Sequence, residues 1–198
     1  MHRRIIPALA VLLLTGCSTA RESTTVRTAT EELLVSSAAE RAAVALVPGL
    51  PTRGSVFIDT SNFDALDGKY AITAVQDAVL QHGCSLAAKR DSADIVVLLS
   101  SGALAINDSE TLVGIPALTL PIPLAGSIAT PKVAFFDSER KQGVAKFLAT
   151  DIDARTGKLI VSSGPRIGLS HDTHYTLFLL ASWRRQDIMP KPGETLAP

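Results

Sequence analysis

The chain has 198 residues, with 19 basic and 19 acidic side chains giving a formal charge of +0, and 46% of it is hydrophobic. That balance excludes the basic stripe of a nucleic-acid binder and the charge runs of a disordered acidic or basic tail. The length suits one domain with a true core, once a processed leader is set aside.

Residues 1–16 read as a lipoprotein signal peptide and are kept out of fold reasoning. Arg3 and Arg4 form the positive start, and the apolar run from Ile5 to Leu14 is broken only by Pro7. That run falls far short of the roughly 20 apolar residues that span a bilayer. It ends in Leu14, Thr15 and Gly16 before Cys17. This is the pattern of a lipobox, because the cysteine sulfur takes a diacylglycerol and the peptidase needs small residues before it. Lipidation at Cys17 is therefore expected. Buried acyl chains contribute roughly 0.8 kcal/mol per CH₂, which makes a stable anchor. Ser18, rather than Asp, follows the cysteine. This resembles the sorting signal that sends such proteins to the outer membrane, facing the periplasm, with the inner membrane as the alternative. Losing Arg3 and Arg4 leaves the mature chain close to neutral. With Cys17 acylated, no intramolecular disulfide is expected, and Cys84 is read as a small buried hydrophobe.

Residues 17–27 are read as lipidated cysteine and short tether. Thr28-Ala29-Thr30-Glu31 then fits a capping box, followed by Leu33, Leu34, Ala38, Ala42 and Ala45 at helical spacing and a stop at Pro48 and Gly49. Residues 55–60 predict a strand. A second helix follows, with Asp67 as its cap, Ile72, Val75, Val79 and Leu80 on one face, and Gly83 at its end. Residues 84–89 predict a short strand, and residues 94–106 a long inner one, apolar on both faces. Residues 144–153 and 159–163 predict a hairpin whose turn needs positive φ at Gly157. Residues 174–183 predict a last strand, with a helix as the rival. The domain is placed at residues 28–187, with a flexible tail at 188–198. The fold class expected is α+β, a mostly antiparallel sheet with two helices packed on one face, plus an apolar Pro-rich insertion.

The order of these elements, with Asp59-Thr60-Ser61-Asn62 after the first strand and Asp153-Ala154-Arg155-Thr156-Gly157-Lys158 in the hairpin, carries a resemblance. Over residues 53–163 the chain resembles the periplasmic domain of outer-membrane lipoproteins related to the curli secretion channel, the activators of penicillin-binding proteins and an exopolysaccharide-export lipoprotein. It looks closest to an uncharacterised family of proteobacterial lipoproteins. The resemblance implies an envelope protein that is not an enzyme, and it transfers no catalytic residue.

The most unusual segment is 111–131, which holds no charged residue and four prolines. Proline argues against a spanning helix and an interior strand. One reading packs it as a loop on the domain's own sheet. The other makes Leu112, Val113, Ile115, Leu118, Leu120, Ile122 and Leu124 a contact surface for a partner, a neighbouring subunit or the membrane. In the channel-type relatives, membrane-inserting hairpins extend from this kind of domain, although clean two-residue alternation is missing here. His171 and His174 are too few for a zinc site and would face opposite ways on a strand. Asp59, Asp64 and Asp67 read as a solvated loop, and Trp183-Arg184-Arg185 as a basic strand end. No nucleophile elbow or phosphate-cradling glycine loop occurs. No metal and no cofactor is expected, and no nucleic acid. The expected function is a non-catalytic binding or assembly factor anchored by lipid, with an envelope protein partner or self-association. The alternative is a ring-forming outer-membrane export component, and an envelope hydrolase or metal-binding protein ranks below both.

Overall fold

Thr28 opens the first helix as its sequence requires. The Glu31 N–H donates to the Thr28 hydroxyl at 3.3 Å, and the Thr28 N–H donates back to the Glu31 carboxylate at 2.9 Å. Helix α1 (Ala29–Leu46) buries Leu34, Val35, Ala38, Ala39, Ala42, Ala43 and Leu46. That stripe lies one position round from the expected one, since Leu33 is exposed and Ala39 and Ala43 face inward. The computed structural model describes residues 27–50, 52–122 and 126–189. The expected signal peptide, the expected lipidation site at Cys17, the expected tether through residue 26 and the tail from residue 190 lie outside the described residues.

The remaining elements are β1 (Ser55–Asn62), α2 (Gly68–Gln81), β2 (Ser85–Leu86), β3 (Ile95–Ile115), β4 (Thr119–Ile122), β5 (Gly126–Ala129), β6 (Val133–Asp153), β7 (Leu159–Leu177) and β8 (Ala181–Gln186). The main sheet runs β2-β1-β3-β6-β7-β8, parallel at β1–β2 and β1–β3 and antiparallel elsewhere. The fold is α+β, two helices with a strand-rich curled sheet. Both helices enter one core with Val56, Ile95, Val97, Leu99, Ala145, Phe147 and Ala149.

Helix and sheet approach closely because both surfaces are small. The alanine stripe of α1 lies over Gly143 and Gly168, where an added Cβ would collide with the Leu34 and Ala38 carbonyls. Ser170 donates its hydroxyl to the Leu34 carbonyl at 2.6 Å, satisfying a fully buried side chain. β3 is an inner strand, between β1 and β6, as its two-sided apolar run predicts.

Four expectations need correction. Asp67 stands at the start of α2, but in a left-handed conformation (φ 63°) with no side-chain cap; its carboxylate pairs with Arg27 instead. On α2, Leu80 is exposed and Ala71 and Ala78 take the inner face. The 144–163 hairpin is part of a much longer one, β6 and β7 staying paired out to Phe136 and Leu177. Residues 174–183 are the end of β7, a tight turn and the start of β8.

Candidate functional site

Within 111–131, residues 111–115, 119–122 and 126–129 form strands, not a loop packed on the sheet. β3 and β6 remain paired from the core out to Ile115 opposite Val133. Pro116 and Pro131 interrupt the ladder, because proline has no N–H to give. Pairing resumes where Thr130 N–H donates to the Leu118 carbonyl at 2.8 Å, and β4 and β5 follow, with Leu120 opposite Ile128 and Pro121 opposite Ser127. A two-stranded hairpin leaves half its N–H groups unpaired, so Pro121 fits there at no cost in ladder bonds. Cross-strand partners share a face. One face of the hairpin therefore carries Leu120 and Ile128, and the other carries Thr119, Pro121, Ser127 and Ala129. We call residues 111–131 the arm.

The arm leaves its apolar side chains in water. Val113, Ile115, Leu118 and Leu120 are about half exposed, as is Ile128, while Leu112 is half-buried opposite Asp137. The side chain of Ile122 and all of Leu124 lie outside the described residues. A second apolar turn, which the sequence reading missed, meets the base of the arm. Phe178 and Leu179 occupy the two central positions of the β7–β8 turn at φ 49° and 60°, and Leu180 beside them is 92% exposed. Two-residue hairpin turns of this hand normally take Asn-Gly, and bulky side chains there cost about 1–2 kcal/mol each. The Phe178 N–H donates to the Phe135 carbonyl at 2.8 Å, and the two rings meet edge-on at 6.2 Å. Behind them Trp183 stacks on Tyr175 at 5.3 Å.

Charged groups begin just inland of this apolar end. Lys132 Nζ lies 2.6 Å from Asp137, 2.7 Å from Glu110 and 3.6 Å from Glu139. Hydrogen bonding to Asp137 and then to Glu110 holds the ammonium above the usual lysine range. The three carboxylates are close enough to share a metal ion, but Lys132 already lies among them. Arg184 makes a two-toothed pair with Asp172 at 2.6 and 2.7 Å, so the Trp183-Arg184-Arg185 run is a stacked and ion-paired strand rather than a merely solvated edge.

The other sequence candidates do not converge. His171 Nδ1 lies 2.9 Å from Asp187 on one face of β7, while His174 sits on the other, opposite Glu139 and Arg184. Asp59 accepts from the Ser61 hydroxyl at 2.5 Å and from the Ser61 N–H at 3.0 Å, which pull its carboxyl below the usual range, and stands 3.6 Å from Arg90. Asp64 instead lines a groove of about 1060 Å³ between α1 and α2, together with Leu33, Phe63 and Tyr70. Asp153 accepts from Arg155 and Thr156 N–H at 3.0 and 2.7 Å, and Gly157 has φ 67°, which explains the Asp-x-x-Thr-Gly turn.

Cys84 is buried, as expected, and burial pushes its thiol pKa up. Its charged neighbour Asp151 was not anticipated. Asp151 is 2% exposed, its Oδ1 has no hydrogen-bond partner, and burial raises its pKa to about 6. The alternation Ala145, Phe147, Ala149, Asp151 was the signal that placed this carboxylate inward.

Among the described residues no helix is long and apolar enough to cross a membrane, which leaves crossing by strands untouched. No curated protein matches the chain. A family model described as "Family of unknown function (DUF6655)" matches residues 10–178, and the chain belongs to that family.

Proposed function

We propose that this member of a family without an assigned role is a membrane-anchored lipoprotein of the bacterial envelope and a non-catalytic binding or assembly factor. In this reading residues 1–16 are removed, Cys17 carries the lipid, and the domain faces the periplasm from the outer membrane. The Pro-rich arm is an insertion that serves as its contact surface. One observation carries the reading. An uncharged hairpin holds large apolar side chains in water instead of folding them onto the sheet, and exposed patches of this kind mark interaction sites. The lipobox at residues 14–17 supports the anchor.

Deleting residues 112–129 tests it. The shortened protein is expected to fold and to lose whatever it associates with in the envelope: co-purifying proteins, its own oligomers or anchor-independent membrane association. If all three persist unchanged, the reading fails. Labelled palmitate is expected in the wild type and absent from Cys17→Ser.

A second reading has one observation in its favour. Residues 111–121 and 121–131 each have the length of a strand crossing a bilayer, about 9–11 residues, so copies could pool their arms as a ring-forming export component. Native mass spectrometry of the detergent-solubilised protein decides, since a strict monomer removes this reading.

A further inference from the structure

We infer that the apolar end of the molecule docks on a lipid bilayer surface, the same one that holds Cys17, and that the arm and the β7–β8 turn make the contact together. This deepens the proposed function and rests on its two premises, the lipid on Cys17 and the arm as contact surface.

The first observation is that two separate loops converge on one end. The arm presents Ile115, Leu120 and Ile128, the turn presents Leu179 and Leu180, and Phe135 against Phe178 joins them. Neither the arm nor residues 175–183 contain a charged side chain.

The second is the border of this end. Tyr175 and Trp183 stack where the uncharged surface stops, and Arg184 and Arg185 follow directly. Tyrosine and tryptophan prefer the interface of a membrane, where an apolar ring meets a wet edge. Lys132 and its carboxylates lie at the arm's base, so the surface beyond them is free of charge.

The third is strain. Phe178 and Leu179 hold the conformation that Asn-Gly would adopt freely. Bulk is kept at an exposed turn beside the arm's base against local preference, and strained residues of this kind cluster at functional surfaces.

The fourth selects the occupant. Helix α1 starts by Lys141, three residues short of the arm's base at Thr111 and Ser138, and runs away from the arm. Glu31 pairs with Lys141 at 2.6 Å, Leu34 and Ala38 lie over Gly143 and Gly168, and Gly49 reaches Ser163. The chain therefore enters the fold on the arm's side. Nine residues separate Cys17 from Arg27, and the ten steps between them reach at most about 35 Å. From Glu110 to Leu120 the arm extends roughly 30 Å of strand. A bilayer holding the lipid on Cys17 thus lies within reach of the arm's end, whereas a protein partner has no such constraint bringing it there.

The test uses residues 18–198, which keep every described element and carry no lipid. Vesicles of phosphatidylethanolamine and phosphatidylglycerol are the probe. Trp183, the chain's single tryptophan, reports contact directly. Expected are flotation with the vesicles, a blue-shifted emission, and quenching by lipids brominated near the headgroup. Leu120→Glu is expected to weaken partitioning about tenfold or more. Phe178→Asn with Leu179→Gly is expected to weaken it similarly while raising the Tm, because the turn is relieved. That opposite pair of changes guards against a variant that merely misfolds. No flotation and no emission shift, flotation indifferent to both variants, or an oligomer that buries Trp183 and ignores lipid would each overturn the inference. Palmitate labelling of the full-length chain in cells separates the premises. Labelled protein that fails to float without its lipid sinks the docking surface and leaves the anchor standing. Unlabelled protein whose unlipidated form floats does the reverse.

Discussion

The same strand, β6, has two different lives. From Gly143 to Asp151 its inner face lies under α1 and reads Gly, Ala, Phe, Ala, Asp, all buried. From Asp137 to Lys141 the same face of the same strand lies beyond most of the helix and reads Asp, Glu, Lys, each drawn into an ion pair. The backbone ladder to β3 and β7 does not change across the boundary. Cover decides which side chains a sheet can carry. Where a helix excludes water the face must be small and apolar, and where it does not, opposite charges on neighbouring strands can flank the ladder.

The comparison breaks most sharply at Gly168. Its missing Cβ makes room for the Ala38 carbonyl and the Ala42 amide of α1. Gly168→Ala is expected to destabilise the fold by about 4 kcal/mol or more, read by chemical denaturation. A loss below about 1 kcal/mol would mean the helix is not seated as described.

Asp151 is the one charge on the covered inner face of β6 from Gly143 to Asp151, and its effect depends on pH. Its folded pKa of about 6 lies above the ordinary 3.8, so the fold favours the protonated acid. Stability from this group therefore rises as pH falls from 6 towards 4, and above pH 6 the buried charge costs up to about 3 kcal/mol. Asp151→Asn is expected to stabilise the protein at pH 8 by a sizeable part of that amount and to flatten the profile between pH 4 and 6. An unchanged melting profile at both ends would show Asp151 to be solvated.

On the uncovered half, Asp172→Ala leaves Arg184 without its carboxylate. The pair is partly exposed, so the expected loss is near 1 kcal/mol, with faster amide exchange in β8 and none of it in α1. The smallest effect belongs to the arm. Leu120→Ser with Ile128→Ser is expected to change stability by less than about 0.5 kcal/mol, because neither side chain contributes to the core. A larger loss would mean that the arm packs against something in the free protein.

Much of the covered half was legible in the sequence. The Thr28–Glu31 box, the inner strand from Ile95 and the Asp153–Gly157 turn each follow from local chemistry, and each is found. The uncovered half was not. Residues 133–143 carry Asp137, Glu139, Arg140 and Lys141 within a few positions and look like a loop, since nothing local says that three strands run side by side there. Prolines pointed away from strand in the arm, yet they fall at the ladder's break and in a two-stranded hairpin that tolerates them. At residues 178–180, Phe-Leu-Leu lacks any turn signal, so the bend that divides β7 from β8 was invisible. Asp151 is legible only from the alternation Ala145, Phe147, Ala149 that it continues, because a carboxylate by itself signals an exposed position.

The long pairing of β3 with β6, interrupted only by register shifts at Ser101/Ala103 and Val113/Gly114, has a mechanical consequence. Each strand is 21 residues long, about 70 Å of extended backbone, running from the middle of the core to the base of the arm. A pull on the arm along that direction draws β3 and β6 the same way, so it loads in shear the hydrogen bonds that join β6 to β7 and β3 to β1, many at once, instead of peeling them one by one. The two strands behave as a stiff beam rooted under α1, so force or displacement at the tip is delivered to the core with little lost on the way.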